Sequence, residues 1–324
     1  MEHPVEVKGI KKILLLGGSG FIGKNLVKQL IEDGYDITVF SRNADTDLYL
    51  RKFLPKVHLI SGDFAQYDVN QFKQVIEKMD CVIHMISSTN PSNMNVLYEF
   101  ESSVIPTIKL LNACVEGKIK KLIYISSGGT VYGAPRYIPI DEGHRTEPIS
   151  AYGIHKLSEE KCIEYYGKTY GLNYIILRLA NPFGIGQNPK SNQGAIAVFL
   201  AKALTHEQIV IWGDGSATRD YVYIEDVIDA CTRLITYCGK ARIFNVGSSK
   251  GYSINQIIRI IGRELKLLPL LEYKTGRIQD VSANILDIAL LKREVEWTPK
   301  IQIEEGIHRM VQAWDAQSHE FRIG

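Results

Sequence analysis

Long apolar runs are missing from this sequence. No stretch reaches the ~18 to 20 residues that a helix needs to cross a bilayer. Met1 to Lys12 is polar and charged, without the apolar segment that directs secretion. An excess of one charge is missing too: 38 Lys and Arg face 36 Asp and Glu, a formal +2 with the two signs intermixed. Neither nucleic acid nor an anionic membrane is implied as a partner. Paired cysteines are also absent. Cys81, Cys114, Cys162, Cys231 and Cys238 are odd in number and never stand as Cys-x-x-Cys, which argues against a disulfide framework and against a zinc or redox pair. They read as reduced and mostly buried. The expectation is a cytoplasmic protein with no metal site.

What is present is an ordinary globular balance, 45% hydrophobic and 23% charged, sufficient for a sizeable core. Six short apolar runs, 13–16, 36–40, 57–60, 81–86, 122–126 and 174–179, alternate with amphipathic helical patterns. Strands apolar on both faces and joined by helices imply a parallel, doubly wound α/β sheet of the Rossmann type. After residue 180 the rhythm breaks into loops rich in Gly, Pro and Asn. We expect a dinucleotide-binding domain over 1–180 and a smaller α/β substrate domain over 181–324, with some helices packing back on the first.

The first run ends in Gly17-Gly18-Ser19-Gly20-Phe21-Ile22-Gly23. Gly17, Gly20 and Gly23 answer three demands: a tight turn, close approach of backbone to a pyrophosphate, and close packing of helix on sheet. Phe21 and Ile22 open the helix whose unpaired N–H groups and dipole favour phosphate. Where the second strand ends, an acidic residue ordinarily accepts the adenosine ribose and repels NADP; here Ser41-Arg42 stands instead. Arg42 suits a 2′-phosphate, so the expected cofactor is NADP(H), or NAD(H) and NADP(H) alike. Asp63 and Phe64 follow the third run as an adenine-contact turn, with a helix cap as the alternative for Asp63.

Tyr152 and Lys156 stand four residues apart, on one face of a helix that begins after Pro148. An ammonium beside a phenol favours the phenolate, which makes Tyr152 able to exchange a proton while hydride passes to or from a nicotinamide. His84, His144 and His155 lack metal-ligand company and read as packing or loop residues, although His84 is near enough to the expected nicotinamide to touch it.

Together, the Gly17–Gly23 turn, Ser126-Ser127-Gly128-Gly129-Thr130-Val131-Tyr132-Gly133, Tyr152 with Lys156, Asn181-Pro182-Phe183-Gly184, Arg219-Asp220-Tyr221-Val222 and Gly276-Arg277 with Asp280 give a chain that resembles the extended short-chain dehydrogenases/reductases. Within them it resembles the epimerases, reductases and dehydratases of nucleotide sugars. The resemblance implies that Tyr152 is the acid/base and that Lys156 activates it and holds a ribose. It implies that Thr130 and Ser127 orient a sugar hydroxyl and that Asn181, Arg219 and Arg277 hold a diphosphate. The alternative for the two arginines is surface pairing with Asp220 and Asp280. A homodimer through the helices around 105–114 and 156–170 is also implied. Dehydratases of this kind carry a Thr-Asp-Glu run where Gly128, Gly129 and Thr130 stand, so dehydration is not expected. Epimerases place Ser or Thr at the position of Gly128 and Asn at that of Ser103. These departures, with Ser41-Arg42, favour an NAD(P)H-dependent reductase of a dTDP-4-dehydro-6-deoxyhexose in surface-polysaccharide synthesis. A UDP-glucose or UDP-N-acetylglucosamine 4-epimerase with retained NAD is the alternative, and a non-catalytic dinucleotide sensor a third.

Overall fold

A computed structural model describes residues 9–87, 93–190, 193–276 and 281–320, with only the backbone over 315–320. In chain order the strands are β1 (Lys12–Leu16), β2 (Asp36–Ser41), β3 (Val57–Ser61), β4 (Cys81–His84), β5 (Lys121–Ser127), β6 (Tyr174–Leu179), β7 (Asn181–Phe183), β8 (Ile209–Trp212), β9 (Thr218–Tyr223), β10 (Ile243–Val246), β11 (Gly251–Ser253), β12 (Leu271–Lys274) and β13 (Ala283–Asn284). The helices are α1 (Phe21–Glu32), α2 (Leu48–Arg51), α3 (Val69–Ile76), α4 (Val96–Glu99), α5 (Ile105–Glu116), α6 (Ala151–Tyr170), α7 (Ala195–Leu204), α8 (Ile224–Thr236), α9 (Ile254–Leu265), α10 (Ala289–Val295) and α11 (Ile303–Glu320). None is long and apolar enough to cross a membrane among the described residues.

The main sheet is parallel, in the order β10-β6-β5-β4-β1-β2-β3. Alternation of side chains explains the apolar runs. Ile13 and Leu15 of β1 pack with Leu26 and Leu30 of α1 on one face, while Leu14 and Leu16 join Leu110 and Leu111 of α5 on the other. Strand order reverses between β1 and β4, which opens a crevice at their carboxyl ends. There Leu16 stands level with both Phe40 and His84.

Residues beyond 180 supply β10, the outer neighbour of β6. They also form two small sheets: β9 pairs with β11, β13 and β7, and β12 pairs with β8. Asp220 joins these parts. Its buried carboxylate accepts N–H bonds from Ser248, Ser249 and Leu286 and the Ser248 hydroxyl. Burial nonetheless raises its pKa.

Candidate active site

The glycine turn lies between β1 and α1, as its spacing requires. Gly17 has φ +92°, a value that L side chains seldom adopt, and its N–H donates to Phe40 O at 2.8 Å. A Cβ on Gly18 would lie 2.6 Å from Val39 Cγ1, and one on Gly23 would lie 2.5 Å from Gly17 O. Gly20 is different: a Cβ there would meet only Gly17 O, at an ordinary 3.4 Å. The protein's own packing does not demand glycine at 20, whereas close approach of a ligand to that backbone does. Gly20 is also the N-cap of α1 and offers no side-chain cap, which suits the helix terminus to a phosphate. The residues present therefore fit a dinucleotide.

Ser41 is buried at the tip of β2, its Oγ without a partner among the described residues, and Arg42 is exposed. Asp63 caps a single 3₁₀ turn over Phe64–Gln66, accepting from Ala65 N at 3.1 Å. The Phe64 ring is buried against Phe72 and His84. The Phe64 side chain therefore belongs to the core, and the turn presents its backbone and Asp63.

Helix α6 starts from a Ser150 cap that accepts from Gly153 N at 3.1 Å. It carries Tyr152, His155, Lys156, Glu159 and Glu160 along one stripe, and all but Tyr152 are buried. Tyr152 is half-buried and edge-on to His155 at 4.9 Å. Lys156 Nζ lies 6.0 Å from the Tyr152 ring centre and donates to Tyr124 Oη at 3.0 Å and Ile125 O at 3.2 Å. Beside them Thr130 holds a buried Oγ1 with no partner among the described residues, and Ser127 is half-buried at the end of β5. Ser126 is not available to a ligand, because its hydroxyl donates to Glu160. Gly128 is tightly packed: a Cβ would lie 2.6 Å from Leu286 Cδ1 and 3.1 Å from Arg178 O, so Leu286 would have to move to admit one. Ser103 is buried in a π turn ahead of α5, its Oγ likewise unpartnered among the described residues.

Behind this edge lies a polar layer that the sequence reading missed. Glu160 takes Arg178 through Nε and Nη2, at 3.1 and 2.6 Å. Arg178 also donates to Tyr132 Oη at 3.0 Å, and Tyr132 donates to Asn245 of β10 at 2.7 Å. Glu159 accepts from Tyr124 and, at 2.6 Å, from Thr107. His84 Nε2 is 3.0 Å from the Thr107 hydroxyl. Burial pushes His84 down to about 3, so its ring is neutral, and burial with the Glu159 carboxylate raises Tyr124 well above the ordinary tyrosine value. His155 Nδ1 approaches Glu99 at 2.6 Å. The signal that could have revealed this layer is the ionisable i, i+3, i+4, i+7, i+8 stripe on α6, at the spacing of a core-facing helix.

Asn181 and Arg219 come together on the paired strands β7 and β9. Asn181 Nδ2 donates to Asp220 O at 2.9 Å, and Arg219 Nη1 donates to Thr218 O and Val281 O at 2.9 and 2.8 Å. Asp220 faces Ser248 and Ser249. Arg277 and Asp280 lie outside the described residues. No cluster of metal-ligating groups occurs among the described residues.

Fold and site together define a dinucleotide-dependent enzyme of the short-chain type, and comparison makes the class specific. The profile of the NAD dependent epimerase/dehydratase family matches residues 13–247, and the chain belongs to that family. A Methanocaldococcus jannaschii protein that carries a provisional name of UDP-glucose 4-epimerase is 35% identical, over 92% of this chain and 97% of its own. A dTDP-4-dehydro-6-deoxyglucose reductase of Escherichia coli is 27% identical over 93% and 96%. The UDP-glucose 4-epimerase of Thermotoga maritima, solved with UDP-glucose, superposes with a TM-score of 0.88 at 30% identity, covering 95% of this chain and 99% of that one.

Proposed function

We propose that the protein is a 4-epimerase of a nucleotide-linked hexose, with UDP-glucose and UDP-galactose as the first pair to test. The observation that carries carbon-4 redox chemistry is a half-buried Tyr152 one helical turn before a buried Lys156, with Gly128 and Gly129 bringing no carboxylate for elimination. The similarity to two proteins named as UDP-glucose 4-epimerases, each covered almost end to end, supports the epimerase reading. Residues 1–180 form the dinucleotide-binding part in this reading, and 181–324 the part for the sugar nucleotide.

A nicotinamide dinucleotide bound at the glycine turn supplies reversible hydride transfer at the sugar carbon. The chain's own groups do the rest. The first N–H groups of α1 hold the pyrophosphate, and Tyr152 takes a proton from the sugar hydroxyl and returns it. Lys156 holds the ribose beside Tyr152. Thr130 and Ser127 orient the hydroxyl, while Asn181, Arg219 and Arg277 hold the sugar's diphosphate.

A second reading, reduction of a 4-keto-6-deoxyhexose nucleotide by NAD(P)H, is favoured by Ser41-Arg42 and by the E. coli relative. The two part on one experiment. Purified protein that interconverts UDP-glucose and UDP-galactose with no net change in absorbance at the reduced-cofactor band is an epimerase. Stoichiometric oxidation of NADH or NADPH by a dTDP-4-keto-6-deoxyhexose, without interconversion, replaces that reading with the second.

Arg42→Ala is expected to weaken NADPH binding about tenfold, the scale of a lost charge-assisted hydrogen bond, and to leave NADH within about twofold. Fluorescence titration of both dinucleotides measures this, and equal effects on the two would remove Arg42 from the cofactor site. We also propose a homodimer through α5 and α6, whose Ile105, Ile154, Tyr165 and Tyr170 are exposed. Light scattering should give twice the chain mass, and a monomer mass at micromolar concentration rejects the dimer.

A further inference from the structure

Lys156 is almost fully buried, and a buried ammonium needs both hydrogen bonds and a counter-charge. Three carboxylates lie buried near it, and each has its own work. Glu160 is held by Arg178 and Ser126. Glu99 faces His155 and accepts from Asn93 Nδ2 at 2.8 Å. Glu159 is left for Lys156: its Oε2 stands 3.8 Å from Nζ, the one carboxylate within ion-pair distance among the described residues.

The hydrogen bonds around Glu159 run in one direction. Burial raises the Glu159 pKa while the Lys156 charge and the bonds from Thr107 and Tyr124 favour the carboxylate, which only accepts, so Tyr124 and Thr107 both donate to it. Tyr124 Oη is then free to accept from Lys156, and Thr107 Oγ1 accepts from His84 Nε2. That fixes His84 with its proton on Nε2 and leaves Nδ1 bare, in keeping with the absence of any partner for Nδ1 among the described residues. Of the three N–H groups of Lys156, two are committed, to Tyr124 and to Ile125 O. One remains for a ligand.

We propose that Glu159 is the positioning residue of the site: through Tyr124, and by its charge, it holds the Lys156 ammonium where a dinucleotide ribose and Tyr152 meet it. This rests on the functional reading above, in which Lys156 serves a bound nicotinamide dinucleotide. Glu159→Gln replaces one acceptor oxygen by a donating NH₂. The amide must then disturb either Tyr124 or Thr107, while side-chain size is unchanged.

The test compares wild type, Glu159→Gln, Tyr124→Phe, Lys156→Met and the two double variants with Lys156→Met. Dinucleotide dissociation constants come from NADH and NADPH fluorescence, kcat and KM from the epimerase assay, and folding from circular dichroism. Glu159→Gln and Tyr124→Phe are each expected to weaken the dinucleotide about fivefold to tenfold. Each should lower kcat about tenfold with KM for the sugar nucleotide within twofold. Neither change should cost anything further once Lys156 is Met, because both act through that ammonium. A purely structural role would instead give losses that add to that of Lys156→Met. Additive losses, or a folded variant with wild-type binding and kcat, overturn the inference. Where Glu159→Gln does not fold, Tyr124→Phe is read by the same criteria. A wild type that binds neither dinucleotide overturns the functional reading and this inference with it; normal wild-type binding with unaffected variants overturns this inference alone.

Discussion

Tyr152→Phe is expected to lower kcat by a factor of about 1,000 or more, at the upper end of what a positioned acid/base contributes, and to leave dinucleotide binding within about twofold. The substitution keeps the ring. Its edge-on contact with His155 at 4.9 Å survives, and Lys156 keeps its bonds to Tyr124 and Ile125. What disappears is the hydroxyl that exchanges the sugar's proton, for which Ser127 and Thr130, with far weaker acidity, are no substitute. Steady-state kinetics beside a fluorescence titration separates the two effects. A variant that retains a few per cent of wild-type kcat with normal binding would show that another group moves the proton.

The second large effect concerns stability. Glu160→Ala should cost about 3 to 5 kcal/mol, because it strands the Arg178 guanidinium in a dry interior. Glu160 receives two Arg178 nitrogens and the Ser126 hydroxyl, so one residue ties α6 to β5 and β6. A fall in Tm of roughly 10 °C is expected on the usual scaling. Replacing both partners, Glu160→Leu with Arg178→Met, should cost less than Glu160→Ala alone, since no unpaired charge is left buried. Thermal unfolding followed by circular dichroism reads both. A Glu160→Ala protein that melts within about 2 °C of wild type would mean that Arg178 reaches water or another acceptor.

The parts of this molecule that were legible in sequence are those governed by local periodicity. Ile13 to Leu16 and four of the five later runs are mostly buried, β3 being an edge strand with His58 exposed, and all six fall within two residues of the observed strands. Tyr152 and Lys156 were legible because four residues are one turn of helix. β10 was not. It is four residues long with a polar Asn245 in its centre, and that asparagine is tolerated because Tyr132 and Ile140, some hundred residues earlier, satisfy its carboxamide. The burial of the Phe64 ring was not legible for a related reason: a turn beside a strand end looks alike in sequence whether its aromatic ring is exposed or, as here, packed on Phe72 and His84. The stripe on α6 signals that ionisable groups face inward, but their partners Thr107 and Tyr124 come from two other elements, and no spacing along one segment names them. The choice between epimerase and reductase lies further still from the sequence, because both chemistries use the same tyrosine and lysine.

The position of β10 has a consequence for how this chain is made. Six strands of the main sheet are complete once Leu179 has been synthesised, but the outer edge of β6 is closed only by residues 243–246. A nascent chain halted between those points carries an apolar strand edge open to pairing with any other chain. The sheet begun by residues before 180 is therefore finished by residues that follow it. Cutting the gene after residue 180 would yield an association-prone fragment, and the two halves should melt as one cooperative unit.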